Sequence, residues 1–309
     1  MPNLRPRPGG ARDRKPGLRP GPAATNGGEV ITVFAPKGGA GKTVTAINLG
    51  VALSGSGSGP VCVLDLDLAC GQVAISLGID PERTITEGLS MAGRMDQFGA
   101  GLLLTPFRPG LELLLPPLVP GDEERIPAAL IGELLSVLRG MFAYVVVDCP
   151  AALTEHVLTA MDAADHHVLI TAPEVPSLKN LRVATDTMDL LSYPRGIRSV
   201  VLNRCDSRVG VATGDIETAA RCEIAARVPS SKAVPLSMNQ AVPITLSKPR
   251  HPVSRAFTTL AQRIGSAPPR ERQPLPRRPA SQGAATSALR TIPSPVTRDR
   301  EPGLTAGKA

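Results

Sequence analysis

The residues best suited to chemistry form one short run, Lys37-Gly-Gly-Ala-Gly-Lys-Thr43, which follows Pro36. Glycines permit backbone conformations that turn successive N–H groups toward one point, and a following helix adds partial positive charge at its amino end. Such a loop binds phosphate, with Lys42 reaching the β- and γ-phosphates of a nucleotide and the Thr43 hydroxyl holding Mg²⁺. A glycine-rich turn with two surface lysines is the plainer alternative, although chance would produce this string with a probability on the order of 10⁻⁵.

Acidic residues end two of the apolar runs that we interpret as strands. The stretch Leu64-Asp-Leu-Asp67 supplies Asp65 and Asp67, and Tyr144-Val-Val-Val-Asp148 has the form of a Walker B strand. A carboxylate beside Mg²⁺ and a triphosphate can hold a metal-bound water, orient the attacking water or accept its proton. We expect Asp148 to hold a Mg²⁺-bound water. Acids at the carboxyl end of a strand also cap helices, which is the alternative for Asp65 and Asp67.

The phosphate loop departs from the ordinary G-x-x-x-x-G-K-T form, because position 36 is proline and Lys37 is an additional lysine. The K-G-G-x-G-K-T string resembles the deviant Walker A motif of the MinD/ParA family of ATPases. The resemblance implies that the nucleotide is ATP and that Lys37 reaches the nucleotide of a partner subunit in an ATP-dependent homodimer. Coupling of dimerisation to the γ-phosphate follows from such a contact. A solvated lysine at a loop edge is the alternative.

The same resemblance assigns roles to Asp65 and Asp67 and to two segments between positions 200 and 231. It gives Asp67 the positioning of the attacking water, places Asp65 near the metal, and makes Lys37, Lys42 and Asp67 the catalytic set. Val200-Val-Leu-Asn203-Arg204 resembles the adenine-recognising strand end of the family, and the turn Val228-Pro229-Ser-Ser231 would form another wall of the base pocket. Asn203 is otherwise a routine turn residue. The expected metal site consists of Thr43, Asp65 and Asp148, and the expected nucleotide contacts are Lys37, Gly38, Gly39, Ala40, Gly41, Lys42, Thr43, Val44, Asn203, Arg204 and Pro229.

Short runs rich in β-branched residues alternate with longer stretches of helical period, which is typical of βαβ units around a buried parallel sheet. The pattern predicts helices over 177–191 and 122–139, the second with Asp122 as its N-cap, and a loop over 54–59. We therefore expect an α/β fold: a single three-layer P-loop NTPase domain with a mostly parallel central sheet flanked by helices. The predicted strands are 30–35, 61–65, 111–115, 144–148, 167–171, 199–203 and 223–228.

The net charge of +7 comes from the two ends of the chain. Residues 1–28 and 266–309 each carry +5, are rich in proline and have few apolar clusters, so we predict disordered basic tails. The interval 29–265, the predicted ATPase domain, carries −3. No apolar run reaches the roughly 18 residues that span a bilayer, and no hydrophobic stretch follows the first arginines, which favours a cytoplasmic protein. The five cysteines form no C-x-x-C pair, which argues against a disulfide framework and a zinc site.

Longer strings between positions 148 and 256 narrow the resemblance to the CpaE/TadZ branch, whose members accompany assembly of tight-adherence (Flp-type) pili. These strings are 148–158, 173–182, 201–210, 228–243 and 247–256. The resemblance implies pilus and secretion assembly proteins as partners, and recruitment by one of them to the inner face of the cell membrane. Many members carry an N-terminal receiver-like domain, whereas here we expect only a disordered stretch, residues 1–28, ahead of the first strand. The last 44 residues lack an amphipathic apolar stripe, which argues against direct membrane anchoring.

Three hypotheses remain from the sequence. The first is a slowly hydrolysing, dimerising ATPase that assists a pilus or secretion assembly. The second is a ParA-like segregation ATPase that binds DNA non-specifically; the tail arginines could contact phosphates, but the core shows no helix with a dense basic stripe. The third is a scaffold that binds nucleotide without turnover.

Overall fold

A computed structural model of the chain describes residues 27–207 and 211–266. The predicted tails lie almost entirely outside these ranges, so their disorder stays a prediction. Among the described residues, no helix is both long and apolar enough to cross a bilayer.

Eight strands form a single sheet in the order β3-β4-β2-β5-β1-β6-β7-β8. Every neighbouring pair is parallel except β3 and β4, which are antiparallel. The central strands are apolar on both faces because helices cover both sides of the sheet, as expected for a parallel α/β sheet. The strands are β1 (Glu29–Phe34), β2 (Val61–Asp65), β3 (Leu104–Arg108), β4 (Leu111–Leu114), β5 (Tyr144–Asp148), β6 (His166–Thr171), β7 (Arg198–Asn203) and β8 (Ile224–Val228).

Most helices lie between successive strands and the last three follow β8; together they supply the apolar stripes that cover the sheet. Helix α1, which leaves the phosphate loop, is the most buried of these connections near the site: its residues from Thr45 to Val51 are all buried. The helices are α1 (Lys42–Ser54), α2 (Val73–Ser76), α3 (Gln97–Leu103), α4 (Ala128–Met141), α5 (Glu155–Ala163), α6 (Val175–Leu190), α7 (Thr213–Ala220), α8 (Ala233–Asn239), α9 (Ile244–Ser247) and α10 (Pro252–Gly265).

The predicted fold class is confirmed, and all seven predicted strands are present to within one residue at either end. One strand was missed. Strand β3 lies at the edge of the sheet and contains Pro106, which cannot donate to a strand ladder and so weakens the sequence signal.

The prediction of one helix over 122–139 with Asp122 as N-cap is wrong. A separate 3₁₀ helix covers Asp122–Arg125, and α4 begins only at Ala128. The cause is Pro127, which lacks an N–H group and forces Ile126 into an extended conformation with ψ of 110°. The apolar stripe itself is as expected, because Ile126, Leu130, Leu134 and Leu138 are all buried.

Candidate functional site

The candidate residues meet at the carboxyl edge of the sheet. Strands β1, β2 and β5 are neighbours, and their register pairs Asp65 with Asp148 and Val33 with Asp148. Parallel strands present their carboxyl ends at one edge, so the acids that end β2 and β5 lie beside the loop that follows β1. Three segments that are far apart in the sequence therefore form a single cluster in the fold.

The phosphate loop has the backbone that its glycines were expected to allow. Gly39 and Gly41 have φ values of 69° and 98°, which side chains rarely tolerate. A Cβ on Gly41 would also lie 2.6 Å from the Asn203 amide nitrogen. Gly41 is the N-cap of α1, so Lys42 and Thr43 occupy the first turn, where N–H groups and the helix dipole favour an anion.

A cleft of about 910 Å³ opens beside this loop and is large enough for a nucleotide. Its phosphate-loop side is formed by Gly38, Gly39 and Gly41 to Val44, with Asp67 and Asp148 on the adjoining wall. The rest of its lining comes from the turn after β8 together with α8 and α10, including Pro229, Ser231, Met238 and Phe257.

Asp148 lies at the base of this cleft and is 2% exposed. Burial, together with the negative charge of Asp65, raises the pKa of Asp148 to about 7, against the lowering effects of the Thr43 hydroxyl and the Lys42 ammonium. Its Oδ1 atom accepts no hydrogen bond from the described residues. A buried carboxylate oxygen without a donor, beside a threonine hydroxyl, is a donor set that fits Mg²⁺, which prefers oxygen ligands and retained waters.

The oxygens of Asp65, which we expected to lie near the metal, are occupied by hydrogen bonds from the backbone. Its side chain is fully buried; Oδ1 accepts the Asp67 N–H at 3.1 Å and Oδ2 accepts the Val73 N–H at 3.0 Å. Burial raises the pKa of Asp65 to about 6 despite these donors. Both oxygens therefore hold the loop 67–73 in place, while coordination of Mg²⁺ by Asp65 stays a prediction.

Asp67 lies at the start of that loop, is half-buried and lines the cleft. The Asp65 carboxylate fixes its backbone, and the Leu66 N–H donates to the Asp148 carbonyl at 2.9 Å. The structure thus brings Asp67 to the cavity that contains Lys42 and Thr43. Its role in positioning water stays a prediction.

Lys37 is placed apart from these residues. Its side chain is 50% exposed and its Nζ lies 3.6 Å from Glu174 Oε2, at the amino end of α6. It lines a small hollow on the other side of the phosphate loop rather than the large cleft. Within this chain, therefore, Lys37 does not join the Lys42 site, and its expected contact with a partner's nucleotide is not tested.

Asn203, Arg204 and Pro229 all line the large cleft. The Asn203 amide, however, donates to the Ala40 carbonyl at 2.9 Å, and its Oδ1 accepts the Arg204 N–H at 3.0 Å. These contacts fix the phosphate loop against the end of β7. Asn203 retains one amide N–H and one oxygen lone pair for a ligand, so recognition of adenine by it stays a prediction.

The wall formed by α8 and α10 was not foreseen as part of the site. Met238, Val253 and Phe257 come from segments about 200 residues after the phosphate loop, and their sequence shows only the apolar period of core-facing helices. Lys232 also lines the cleft. These residues belong to no local sequence motif. They reach the site only because the fold places the segments after β8 beside it.

Comparison with known proteins agrees with this geometry. Residues 31–244 match the sequence profile of the CobQ/CobB/MinD/ParA nucleotide binding domain. The chain is 27% identical to the septum site-determining protein MinD of Thermotoga maritima over 245 residues, which cover 77% of this chain and 88% of the relative.

Solved structures of several proteins share the fold. The ParA family ATPase of Chlorobium tepidum matches with a TM-score of 0.72 and 20% identity, over 78% of this chain and 100% of that chain. The septum site-determining protein MinD of Pyrococcus horikoshii, solved in complex with Mg-ADP, matches with a TM-score of 0.66 and 23% identity, over 77% of this chain and 96% of that chain.

Proposed function

Because the chain belongs to the CobQ/CobB/MinD/ParA nucleotide-binding family, we propose that it is a Mg²⁺-dependent, slowly hydrolysing ATPase. Its ATP-bound form is a homodimer, and hydrolysis times a conformational switch. The observation that carries this proposal is the meeting of Lys42, Thr43 and the buried, unpartnered Oδ1 of Asp148 at the base of one large cleft among the described residues.

Each residue of the cleft has a role that follows from its position. The N–H groups of the loop and the Lys42 ammonium bind the phosphates, while Thr43 and a water held by Asp148 take the metal. Bound Mg²⁺ would neutralise charge that develops on the phosphates. Asp67, fixed through its backbone by Asp65, orients the attacking water.

Dimerisation is proposed for the face that carries Lys37. Lys37 points away from the cleft of its own chain, and the neighbouring Val175 is 71% exposed at the start of α6. A cation and an exposed apolar side chain beside the phosphate loop suit a contact with a second nucleotide-bound copy. For Lys37 to reach the partner's phosphates it must leave Glu174.

Hydrolysis is tested by measuring phosphate release with Mg²⁺ and with EDTA, for the wild type and for Asp67→Ala. Release that requires Mg²⁺ and is lost in Asp67→Ala supports an ATPase. Equal background release from both proteins would support a scaffold that binds nucleotide without turnover.

The cellular role we propose is assistance to assembly or localisation of a tight-adherence pilus and secretion system, at the inner face of the cell membrane and through a partner protein. The support is the resemblance of the strings between 148 and 256 to the CpaE/TadZ branch. The test is ATP-dependent co-purification of the full chain with the secretion ATPase and membrane proteins of such a system. Tight ATP-dependent binding of duplex DNA by residues 29–265, with no binding to these proteins, would favour DNA segregation instead.

A further inference from the structure

Helix α6 carries a stripe of side chains on the face that points away from the sheet. The stripe consists of Val175, Lys179, Val183, Asp186 and Leu190. At 3.6 residues per turn these five positions lie within about 80° of arc, on the side of the helix opposite its buried residues. We call this set the α6 stripe.

Three members of the α6 stripe are apolar and exposed. Val175 is 71% exposed, Val183 43% and Leu190 85%. Single exposed apolar residues are ordinary on a protein surface, but a row of them along one face of a helix indicates a face that lacks a packing partner. The α6 stripe therefore has the character of an interaction surface.

The other two members of the stripe are charged and have opposite signs. Lys179 is exposed and takes part in none of the ion pairs among the described residues. Asp186 contacts Arg182 and Arg221 of its own chain, yet its side chain is still 45% exposed. A further cation can therefore approach Asp186 from outside the chain.

A second copy of α6 matches this stripe when the two helices are antiparallel. In a pair related by a twofold axis, residue i of one copy meets residue j of the other, and j meets i. With the axis between positions 182 and 183, Val175 meets Leu190 and Lys179 meets Asp186. Val183 lies beside the axis, close to its own copy. Apolar side chains thus face apolar ones, and each lysine faces an aspartate.

The charges also select this register over its neighbours. A shift of one copy by a helical turn would place Lys179 opposite Arg182 in one direction and opposite Leu190 in the other. The antiparallel arrangement further sets the amino end of each helix beside the carboxyl end of its partner, which the helix dipoles favour. Self-complementarity of this kind points to a second copy of the chain as the occupant.

We propose that two nucleotide-free copies of this chain pair through antiparallel α6 helices. The contact goes beyond the proposed function, because it requires neither ATP nor Lys37. The helix is about 24 Å long at ~1.5 Å per residue, and one helix face covers less than the ~800 Å² per partner of a standard interface. The dimer is therefore weak and forms at micromolar or higher concentrations.

The test is sedimentation of the full chain in EDTA without nucleotide, at concentrations between about 5 and 200 µM, where mass action reveals a weak dimer. The wild type should show a concentration-dependent dimer. Lys179→Glu and Asp186→Lys should each weaken it by about tenfold, because like charges then meet at two symmetric contacts. An equal mixture of the two variants should restore the dimer, since every contact in the mixed pair joins opposite charges.

Apolar contacts are tested by Leu190→Ser, which should also weaken the dimer by about tenfold. Phe98→Ser is the matched control, because Phe98 is 75% exposed but lies on α3, and it should leave the dimer unchanged. Arg255→Glu is the control for charge reversal, since Arg255 is exposed on α10.

The proposal is overturned if the wild type stays monomeric throughout this range, or if the mixture of Lys179→Glu and Asp186→Lys associates no better than either variant alone. Lys37→Ala should keep the nucleotide-free dimer. Loss of the ATP-dependent dimer alone would count against the proposed function and leave the pairing through α6 intact, so the two failures are distinguishable.

Discussion

At the scale of single residues, the chemistry of the site depends on two carboxylates in unlike environments. Asp148 is buried with an unpartnered oxygen and a pKa raised to about 7, whereas Asp67 is half-buried at the cleft wall. A nearby divalent cation would favour the charged form of Asp148, because opposite charge offsets the cost of burial. We therefore expect Asp148 to serve binding of the metal and Asp67 to serve hydrolysis.

The variants Asp148→Asn and Asp67→Asn test this separation. Asp148→Asn should bind ATP in EDTA as the wild type does but lose the gain in affinity that Mg²⁺ provides. Asp67→Asn should keep that gain and lower phosphate release by a factor on the order of 10²–10⁴. Calorimetry with and without Mg²⁺, followed by a phosphate assay, measures both; a full Mg²⁺ gain in Asp148→Asn would remove Asp148 from the metal site.

How much of the site could be predicted depends on whether the residues lie in one local motif. Lys42 and Thr43 follow from the loop string alone, because strand, glycine turn and helix are consecutive in the chain. The hydrogen bonds from the backbone to Asp65, and the hydrogen bond between Ser231 and His251, could not be predicted. They join residues that come close to one another only when the loops have folded. Spacing in the sequence carries no information on which N–H group a carboxylate accepts.

Among the elements, α1 is held against α9 by one buried amide. Asn48 is fully buried; its Oδ1 accepts both the Thr245 N–H at 3.0 Å and the Thr245 hydroxyl at 2.7 Å. Its amide nitrogen donates to the Val44 carbonyl at 2.8 Å. The helix that begins at the phosphate loop is thus tied to α9.

Asn48→Ala should lower the free energy of unfolding by about 2–3 kcal/mol, because it leaves two donors of Thr245 without their acceptor. Thr245→Val is the matched control, which removes only the hydroxyl and should cost less. Urea unfolding of both variants measures the difference. Equal stability of Asn48→Ala and the wild type would show that the tie does not stabilise the fold.

Strand β6 contains a second buried polar group, His167. Its Nδ1 lies 2.8 Å from the Thr32 hydroxyl of β1, and its ring makes an edge contact with Tyr193. Burial, with the positive charges of Arg198 and His166, lowers the pKa of His167 to about 3. The unfolded chain takes up this proton below a pKa of about 6.5, so His167 contributes stability above pH 6.5 that is lost as the pH falls toward 3.

His167→Phe should therefore show a weaker loss of stability in acid than the wild type. The difference in slope should be about 1.4 kcal/mol per pH unit, or about 2 kcal/mol between pH 6.5 and 5. Denaturant unfolding at these two pH values measures it. Parallel pH profiles for the two proteins would contradict the assignment of a neutral, buried His167.

The elements themselves were predictable where their signal is repeated and local. The buried strands read as β-branched runs because both faces are covered, and the α4 stripe has the helical period. The start of α4 and the edge strand β3 could not be predicted, because a single proline at each changes the backbone without changing the apolar pattern.

At the scale of the whole molecule, net charge is a poor guide to the ligand. The ends of the chain carry the excess of positive charge, while the interval that contains the domain carries −3. The positive charge at the site is local and comes from Lys42 and the amino end of α1. A triphosphate matches this arrangement better than an extended polyanion does.

The two lysines of the phosphate loop should affect different steps, Lys42 the binding of ATP and Lys37 the formation of the dimer. Of the two, only Lys42 lines the large cleft of its own chain. Lys42→Ala should lose ATP binding by at least about 100-fold, because it removes a charge-assisted contact to the phosphates. Lys37→Ala should keep ATP binding by the monomer and lose the ATP-dependent dimer, which light scattering measures.

The binding of ATP phosphates at Lys42 is tested most directly by calorimetric titration of Mg-ATP into the wild type, Lys42→Ala and Lys37→Ala, at concentrations where the protein is monomeric. We predict comparable affinity for the wild type and Lys37→Ala, and no detectable binding for Lys42→Ala. Unchanged affinity in a folded Lys42→Ala variant would contradict the assignment of the phosphate site.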